Sequence, residues 1–392
     1  RKVLVGSYSF TKYKLKLISK GRGKVPREIS IPTIRDKIVL RSLCDFLQKR
    51  FSSALDFSLP QEVIKKIKSG LNDQSYNTFI KFDVSNFYPS IRHNKLLKTI
   101  GRRVKDERII SLIQSAITTP TVSRPSREDK LSGTGVPQGL SISNILAAIY
   151  LSNIDKHFKG KSNILYFRYV DDILILCNSD NYKDISKEVI SKFNRLGLTV
   201  YSPIKNPEKS TIGTIGVNDF SYLGYSFKNG IVSARTSSIE KLRDSILSIF
   251  SGYKYSKVKS VKFLEWRLNL RITGCVFQNK FKGWVFFFSE INNETFLHEM
   301  DAFISSLCER YSVNLNVKSF VRTFFQVNNN RYETTYIPNF DNYTEEQMTN
   351  VLNNYFNKST ANMTSKQIKY NFLKRISRQV RDLETDIKDA GY

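Results

Sequence analysis

The chain has 392 residues, 40% of them apolar and 25% charged, which supports a packed core and excludes wholesale disorder. Lys and Arg number 62 against 35 Asp and Glu, a net charge of +27, so the surface repels itself unless a polyanion lies against it. No apolar run reaches the roughly 20 residues of a membrane span, and no lipidation signal or signal peptide is present in a chain that starts at Arg1. The expectation is a cytoplasmic protein whose partner is a nucleic acid rather than a membrane. Cys44, Cys177, Cys275 and Cys308 lie far apart without a Cys-x-x-Cys pair, and His93, His157 and His298 are equally scattered. That argues against a disulfide framework or a zinc site and for buried thiols.

In chain order, Ser19–Arg27 is basic and glycine-rich, a strip suited to phosphate. Glu28–Pro32 reads as a short strand. Arg35–Phe51 reads as a helix in which Ile38, Leu40, Leu43, Cys44 and Leu47 recur at helical spacing. Thr78–Phe82 alternates into a strand that ends at Asp83. Glu107–Ile117 is helical, Ser123–Gly135 is a polar loop, and Ile142, Ile145, Leu146 and Ile149 mark the apolar face of another helix. Leu165–Cys177 reads as two strands joined at Asp171-Asp172. A helix over Tyr182–Leu196 then precedes a strand at Thr199–Tyr201. This order fits an α+β fold on a small antiparallel sheet. Past Ser237 the pattern turns to long helices, and between Glu240 and Lys282 ten Lys or Arg face three Asp or Glu. A domain boundary is therefore expected near Ser233–Ser238, dividing residues 1–236 from 237–392. The alternation of Trp284, Phe286 and Phe288 suggests a half-buried strand packed into the core. Thr344-Glu-Glu-Gln347 spells a capping box at a helix start.

Phosphoryl transfer by a polymerase uses two divalent cations roughly 3.5–4 Å apart, and hard cations take oxygen ligands from several elements. Tyr169-Val-Asp-Asp172 offers two carboxylates at the tip of a hairpin with apolar strands on either side. Adjacent aspartates repel, and a cation removes that repulsion. Asp83 ends another strand 88 residues earlier. Alone, Asp171-Asp172 reads equally well as a plain turn, since Asp favours turns. Together with Asp83 it reads as a metal triad.

These residues carry a family resemblance. Tyr169-Val-Asp-Asp172 resembles the Tyr-x-Asp-Asp box of reverse transcriptases, and Phe82-Asp-Val-Ser-Asn-Phe-Tyr88 resembles their first catalytic motif. Val136-Pro-Gln-Gly139, followed by Ser141, Ser143, Asn144 and Ala147, is similar to the segment under template and incoming nucleotide. Ile31-Pro-x-x-Arg-Asp36 resembles the fingers motif of the bacterial and group II intron lineage. Asn206-Pro-Glu-Lys209 and Ser221-Tyr-Leu-Gly224 are similar to later palm motifs, the second being the primer-grip turn. The matches run in order over about residues 20–230. Arg271-Ile-Thr-Gly274 and Lys282-Gly-Trp-Val285 resemble the thumb of the bacterial unknown-group, defence-associated enzymes. Ile272-Thr-Gly274 also lies close to the Val-Thr-Gly triplet of retron enzymes, whose Asn-Ala-x-x-His signature is absent from this sequence.

The resemblance implies a right-hand polymerase, with fingers and palm over 1–236 and a helical thumb and RNA-binding extension over 237–392. It implies two Mg²⁺ ions held by Asp83, Val84, Asp171 and Asp172. It implies a bacterial enzyme that copies an RNA template, a dedicated noncoding RNA in antiphage defence, into DNA from dNTPs. By position, Tyr88 lies under the nucleotide sugar and excludes a 2′-hydroxyl; its plain alternative is a core aromatic. Gln138 contacts the nucleotide, Arg35 holds triphosphate and Lys209 steadies pyrophosphate, against the alternatives of a turn residue and two solvated cations. Tyr222, Leu223 and Gly224 contact the primer. Lys257, Lys259, Lys262 and Arg271, interleaved with Tyr253, Tyr255 and Trp266, face the template–primer duplex, or else form a solvated helix face. The rivals are a retron-type enzyme, an RNA-directed RNA polymerase and an inactive RNA-binding scaffold. Tyr169 before the dyad and an aromatic Tyr88 oppose the second, and the complete triad opposes the third. The sequence leaves the oligomeric state open.

Overall fold

The computed structural model describes every residue except 1, 20–22, 24, 127, 386 and 388–392. Lys20, Gly21, Arg22 and Lys24 of the expected basic strip therefore lie outside the described residues. The chain forms two compact units, one of Arg1–Ser58 with Ile67–Ile215 and one of Leu59–Lys66 with Gly216–Tyr392. The elements in order are β1 (Tyr13–Ile18), β2 (Arg27–Ile31), α1 (Ile34–Arg50), α2 (Pro60–Leu71), β3 (Thr78–Phe82), β4 (Val84–Ser85), α3 (Phe87–Ser90), α4 (His93–Gly101), α5 (Glu107–Thr118), β5 (Thr121–Val122), α6 (Ser143–Lys159), β6 (Ile164–Tyr169), β7 (Asp172–Cys177), α7 (Tyr182–Leu196), β8 (Thr199–Val200) and β9 (Thr211–Thr214). There follow β10 (Phe220–Tyr222), β11 (Tyr225–Lys228), β12 (Ile231–Ala234), α8 (Thr236–Lys254), α9 (Val261–Thr273), β13 (Cys275–Phe277), β14 (Lys280–Lys282), α10 (Trp284–Phe287), α11 (Glu294–Arg310), α12 (Phe320–Asn329), α13 (Glu345–Asn354) and α14 (Ser365–Leu383).

The first unit is organised by an antiparallel sheet in the order β6-β7-β3-β9. Its central strand β7 reads Asp-Ile-Leu-Ile-Leu-Cys, an unbroken apolar run after the first residue. Ile173 to Cys177 all have no exposed surface, as a strand covered on both faces requires. Helix α6 buries Ile145, Leu146, Ile149 and Phe158 into the same core. A smaller sheet, β2-β1-β5, pairs β1 antiparallel to β2 and parallel to β5. The α+β expectation holds. In α1 the spacing was only partly informative: Leu40, Leu43, Cys44 and Leu47 are buried, but Ile38 is 65% exposed.

Helix α1 begins with Thr33 as its cap, the hydroxyl accepting from the Asp36 N–H at 3.3 Å. Asp36 has no exposed surface and gathers the Tyr8 hydroxyl at 2.6 Å, the Thr11 N–H at 3.2 Å and the Thr33 hydroxyl at 2.7 Å. It thereby ties the amino-terminal segment to the start of α1. Burial pushes this carboxyl up, but the three donors and the Arg35 guanidinium outweigh it and hold it below the usual range. A depressed folded pKa contributes stability that is present above the unfolded value of about 3.9 and lost as pH falls through the folded value. Asp36→Ala should cost about 3 kcal/mol at neutral pH, because three donors lose a charged acceptor. It should also flatten the acid limb of stability below about pH 4. Urea unfolding of both proteins across pH measures this, and parallel pH profiles would refute it.

The second unit contains the sheet β10-β11-β12, the hairpin β13-β14 and the helices from α8 onward. The three strands β10–β12 belong here by compactness, ahead of the boundary at 236/237 that the sequence suggests. A second core joins Leu270, Cys275, Phe277, Phe340 and Leu352 to Ile368, Phe372, Ile376 and Val380 of α14. The aromatic strip departs from expectation in geometry. Trp284–Phe287 is a short helix rather than a strand, and Trp284, Val285, Phe286 and Phe287 are all buried, which a run without polar breaks satisfies as readily in a helix. The capping box at Thr344 forms as the sequence spells it, with Gln347 reciprocating. Cys44, Cys177 and Cys275 are buried and Cys308 half-buried, all as free thiols.

Candidate active site

Strand register brings the carboxylates together. In the β3–β7 pair Phe82 lies opposite Ile173, so Asp83 and Asp172 follow at adjoining strand ends. Residues so placed have Cβ atoms about 4.5–5.5 Å apart. Asp172 itself pairs with Tyr169, so the hairpin tip is Val170-Asp171 rather than Asp171-Asp172. Burial raises the Asp83 and Asp171 carboxyls above their ordinary values, and the charge of Asp172 raises both further. Lys209 and Lys81 oppose the rise at Asp83, and Arg27 opposes it at Asp171. Among the described residues no group of three or more His, Cys, Asp or Glu is placed to hold a metal ion. The donor set nevertheless fits a hard dication: it is all oxygen, and its members feel one another's charge.

Backbone bonds hold this cluster. The Asp83 N–H donates to the Ser210 hydroxyl at 3.0 Å, and the Asp83 carbonyl accepts from the Tyr201 N–H at 3.1 Å. Val84 sits in the short β4–β8 pair opposite Val200 with its side chain buried, so its carbonyl is the only oxygen it can offer. At the hairpin tip Val170 has φ +57°, a strained conformation for a β-branched residue. The turn is clamped by Arg168, whose Nη1 donates to the Val170 carbonyl at 2.8 Å. The same guanidinium forms a two-pronged pair with Asp155 of α6, with Nε at 2.7 Å from Oδ1. Asp155 also accepts from the Tyr166 hydroxyl at 3.0 Å. The two paired side chains are only 10% and 15% exposed.

Tyr88 stands beside the carboxylates. Its hydroxyl donates to Asn144 Oδ1 of α6 at 2.6 Å, and burial followed by the charge of Asp171 pushes its pKa up. Gln138 lies half-buried in a turn bonded to β2 through its carbonyl, which accepts from the Ser30 N–H at 2.7 Å. The turn is close-packed: Gly139 has φ +98°, and a Cβ there would stand 2.7 Å from Ile29 Cγ2. Arg35 is held elsewhere. Its Nη2 donates to the Ser9 carbonyl at 3.2 Å and the Thr11 hydroxyl at 3.0 Å, and its guanidinium lies 5.1 Å over the Tyr8 ring. In this structure the group anchors the amino-terminal segment with its side chain 56% exposed, so the expected triphosphate contact is carried as a proposal. The cation whose charge reaches both Asp171 and Tyr88 is Arg27, at the start of β2.

Comparison with known proteins decides the family. Residues 18–227, more than half of the chain, match the family described as reverse transcriptase (RNA-dependent DNA polymerase). The chain belongs to the reverse transcriptase family. Protein YkfC of Escherichia coli K12 is 27% identical over 166 residues, covering 40% of this chain and 43% of that protein. The group II intron-encoded protein LtrA of Lactococcus lactis subsp. cremoris is 28% identical over 147 residues, covering 36% of this chain and 24% of that one. The putative COX1/OXI3 intron 2 protein of Saccharomyces cerevisiae is 27% identical over 141 residues, covering 34% and 16%. This reverse transcriptase thus spans less than half the length of the curated relatives it matches. Among solved structures, apo telomerase from Candida tropicalis overlays 97% of this chain and 67% of its own at 16% identity, with a TM-score of 0.48. The helices and small antiparallel sheets agree with the α+β expectation.

Other expected contacts of the reverse transcriptase fall in the second unit. Ser221-Tyr-Leu-Gly224 forms a two-residue hairpin turn, with Leu223 at φ +49° and Gly224 at φ +82° between the paired Tyr222 and Tyr225. Tyr222 and Leu223 are 1% and 3% exposed, so any primer contact they make is through backbone. Lys257 and Lys259 are exposed on the connection between α8 and α9, and Lys262 on the first turn of α9. Arg271 requires correction. It is 5% exposed, with Nη2 donating to the Asp382 carbonyl at 3.0 Å, so it ties α9 to α14 instead of facing phosphate. Trp266 is likewise packed, its ring 5.4–6.4 Å from those of Phe356, Tyr355 and Phe340. Tyr255 is 80% exposed. No helix among the described residues is long and apolar enough to cross a membrane.

Arg168, Asp155 and Ser210 were not singled out by sequence, and Arg27 only as the end of the basic strip. Arg168 and Ser210 directly adjoin motifs, and adjacency was the available signal. Asp155 has none, because only the fold brings α6 to β6.

Proposed function

We propose that this chain is an RNA-directed DNA polymerase that adds dNTPs to a primer 3′-hydroxyl on an RNA template. The observation carrying the reading is that Asp83 and Asp172 follow at adjoining strand ends, with Asp171 at the hairpin tip and Tyr88 within reach of its charge. In the reaction the 3′-oxygen forms a bond to the α-phosphorus, and the bond to pyrophosphate breaks. Asp83, Asp171, Asp172 and the Val84 carbonyl would hold two Mg²⁺ ions, whose chemistry when bound would be activation of the hydroxyl and neutralisation of the leaving group. The protein orients the rest. Arg27 faces the triphosphate charge, Lys209 steadies pyrophosphate from beside Asp83, and Gln138 positions the nucleotide from its tied turn. Tyr88, fixed through Asn144, fills the space a 2′-hydroxyl needs. The hairpin at Leu223 guides the primer, and Lys257, Lys259 and Lys262 grip the template–product duplex by its phosphates. Extension of a DNA primer on an RNA template with Mg²⁺ and dNTPs tests the reading, and no incorporation by the purified chain would overturn it.

Tyr88→Ala or Tyr88→Val should admit ribonucleotides, raising NTP use relative to dNTP by at least about tenfold, since one steric contact is worth ~1–3 kcal/mol of discrimination. Single-nucleotide incorporation with both substrates measures the ratio. An unchanged ratio in a variant that still extends primers would make Tyr88 a packing residue.

The biological setting follows the resemblance of Arg271-Ile-Thr-Gly274 and Lys282-Gly-Trp-Val285 to defence-associated enzymes. On that reading the template is a dedicated noncoding RNA, and the setting is antiphage defence in the bacterial cytoplasm. A retron-type enzyme is the second reading, favoured by Ile272-Thr-Gly274. Sequencing the nucleic acid that co-purifies with the chain identifies the template: cDNA of a single dedicated RNA supports the first reading, and its absence would remove it.

A further inference from the structure

Helix α14 carries six Lys or Arg in nineteen residues and a single acid, Asp382. Its apolar stripe, Ile368, Phe372, Ile376, Val380 and Leu383, is buried in the second unit's core. At 100° per residue, Tyr370, Lys374, Arg378 and Arg381 fall within about 40° of the direction opposite that stripe, with Lys366 at the edge of the same face, about 80° from it. All five are exposed, Tyr370 at 64%. The row extends over about 22 Å at 1.5 Å per residue. Asp382 leans away toward Arg267, at 3.9 Å. Among the described residues none of Lys366, Lys374, Arg378 and Arg381 stands within ion-pair distance of a carboxylate.

A solvated helix face ordinarily alternates signs, because opposite charges three or four residues apart stabilise it and like charges destabilise it. Here Lys374, Arg378 and Arg381 stack cation on cation at those spacings. The Lys374 ammonium also lies 5.7 Å from the centroid of the exposed Tyr370 ring. A membrane-surface helix would need its apolar face free, and this one is committed to the core. A row of unpaired cations around one exposed aromatic matches a phosphate backbone with an unpaired base to stack, the combination that folded RNA presents at loops and bulges.

We propose that the outward face of α14 is an RNA-binding surface in its own right, gripping phosphates through Lys366, Lys374, Arg378 and Arg381 and stacking one unpaired base on Tyr370. The choice of RNA rests on the template reading above. The surface would hold a structured part of the RNA rather than the segment being copied.

The test uses the full chain and a fluorescein-labelled RNA hairpin with an unpaired loop, its affinity followed by anisotropy across salt concentrations. The variant Lys366→Gln/Lys374→Gln/Arg378→Gln/Arg381→Gln changes only exposed positions to a good helix former. Its affinity should fall at least about tenfold, and its log–log salt slope should shrink by about 3, at roughly 0.7–0.9 per lost phosphate contact. Tyr370→Ala should weaken hairpin binding about tenfold with the slope unchanged, as loss of one stacked base predicts. Extension of a short primer on a saturating unstructured template should stay as in the wild type. Unaltered affinity and slope in the quadruple variant would make the face merely solvated. Loss of binding to phosphatidylserine vesicles with RNA affinity intact would make it a membrane surface. Either result overturns the proposal. A wild-type chain that binds the hairpin through this face yet extends no primer would leave the surface standing and remove the polymerase reading.

Discussion

Replacing Asp171 and Asp172 by Ala should reduce primer extension at least about 10³-fold while RNA affinity and the fold persist. A single preorganised donor to a developing charge is worth ~10²–10³ in rate, and on the proposed reading these two carboxylates together would hold the ions that meet the whole transferring group. Affinity comes from elsewhere, because the cations that would meet phosphate, Lys257, Lys259 and Lys262, lie on α9 and the segment before it. Stability should not suffer. Burial, and after it the charge of Asp172, raises the Asp83 and Asp171 carboxyls, so deleting Asp171 and Asp172 removes a repulsion felt by Asp83. The thermal midpoint in metal-free buffer should stay level or rise, as is common where function is maintained against stability. Retained extension in the double variant, or a collapsed fold, would sink the assignment.

Much of this site was legible because its signals are local. A strand that ends in Asp, a hairpin carrying two more and a Gly-flanked turn each declare themselves within ten residues or fewer. Where the reading failed, the deciding fact was burial or a partner distant in sequence. Arg271 looks like any other cation of a basic helix, and only the packing of α9 against α14 removes it from the surface. The short helix at Trp284 alternates in sequence as a strand would, but a run of five apolar residues has no polar face to fix its period. The hairpin tip was misplaced by one residue because register is decided across strands, by Tyr169 meeting Asp172.

Arg168→Ala should cost about 3–5 kcal/mol and nearly abolish incorporation as well. Removing one partner of a mostly buried ion pair leaves Asp155, only 15% exposed, with the Tyr166 hydroxyl in place of a countercharge. The catalytic effect has a separate origin. Val170 sits at φ +57°, a conformation the chain does not keep unaided, and the Arg168 donation to its carbonyl fixes the turn that carries Asp171. Arg168→Lys supplies charge without the fork, so it should recover part of the stability and little of the rate. The decisive variant is Arg168→Met/Asp155→Leu. An apolar replacement of a buried pair is often neutral or stabilising, so urea unfolding should return to near the wild-type midpoint. Incorporation should nonetheless stay at least about tenfold low, mostly in kcat, because the Val170 carbonyl has lost its donor and a small displacement of reacting groups is worth up to ~10². Recovery of rate together with stability would show that the pair merely holds α6 to β6, and would remove Arg168 from the positioning residues.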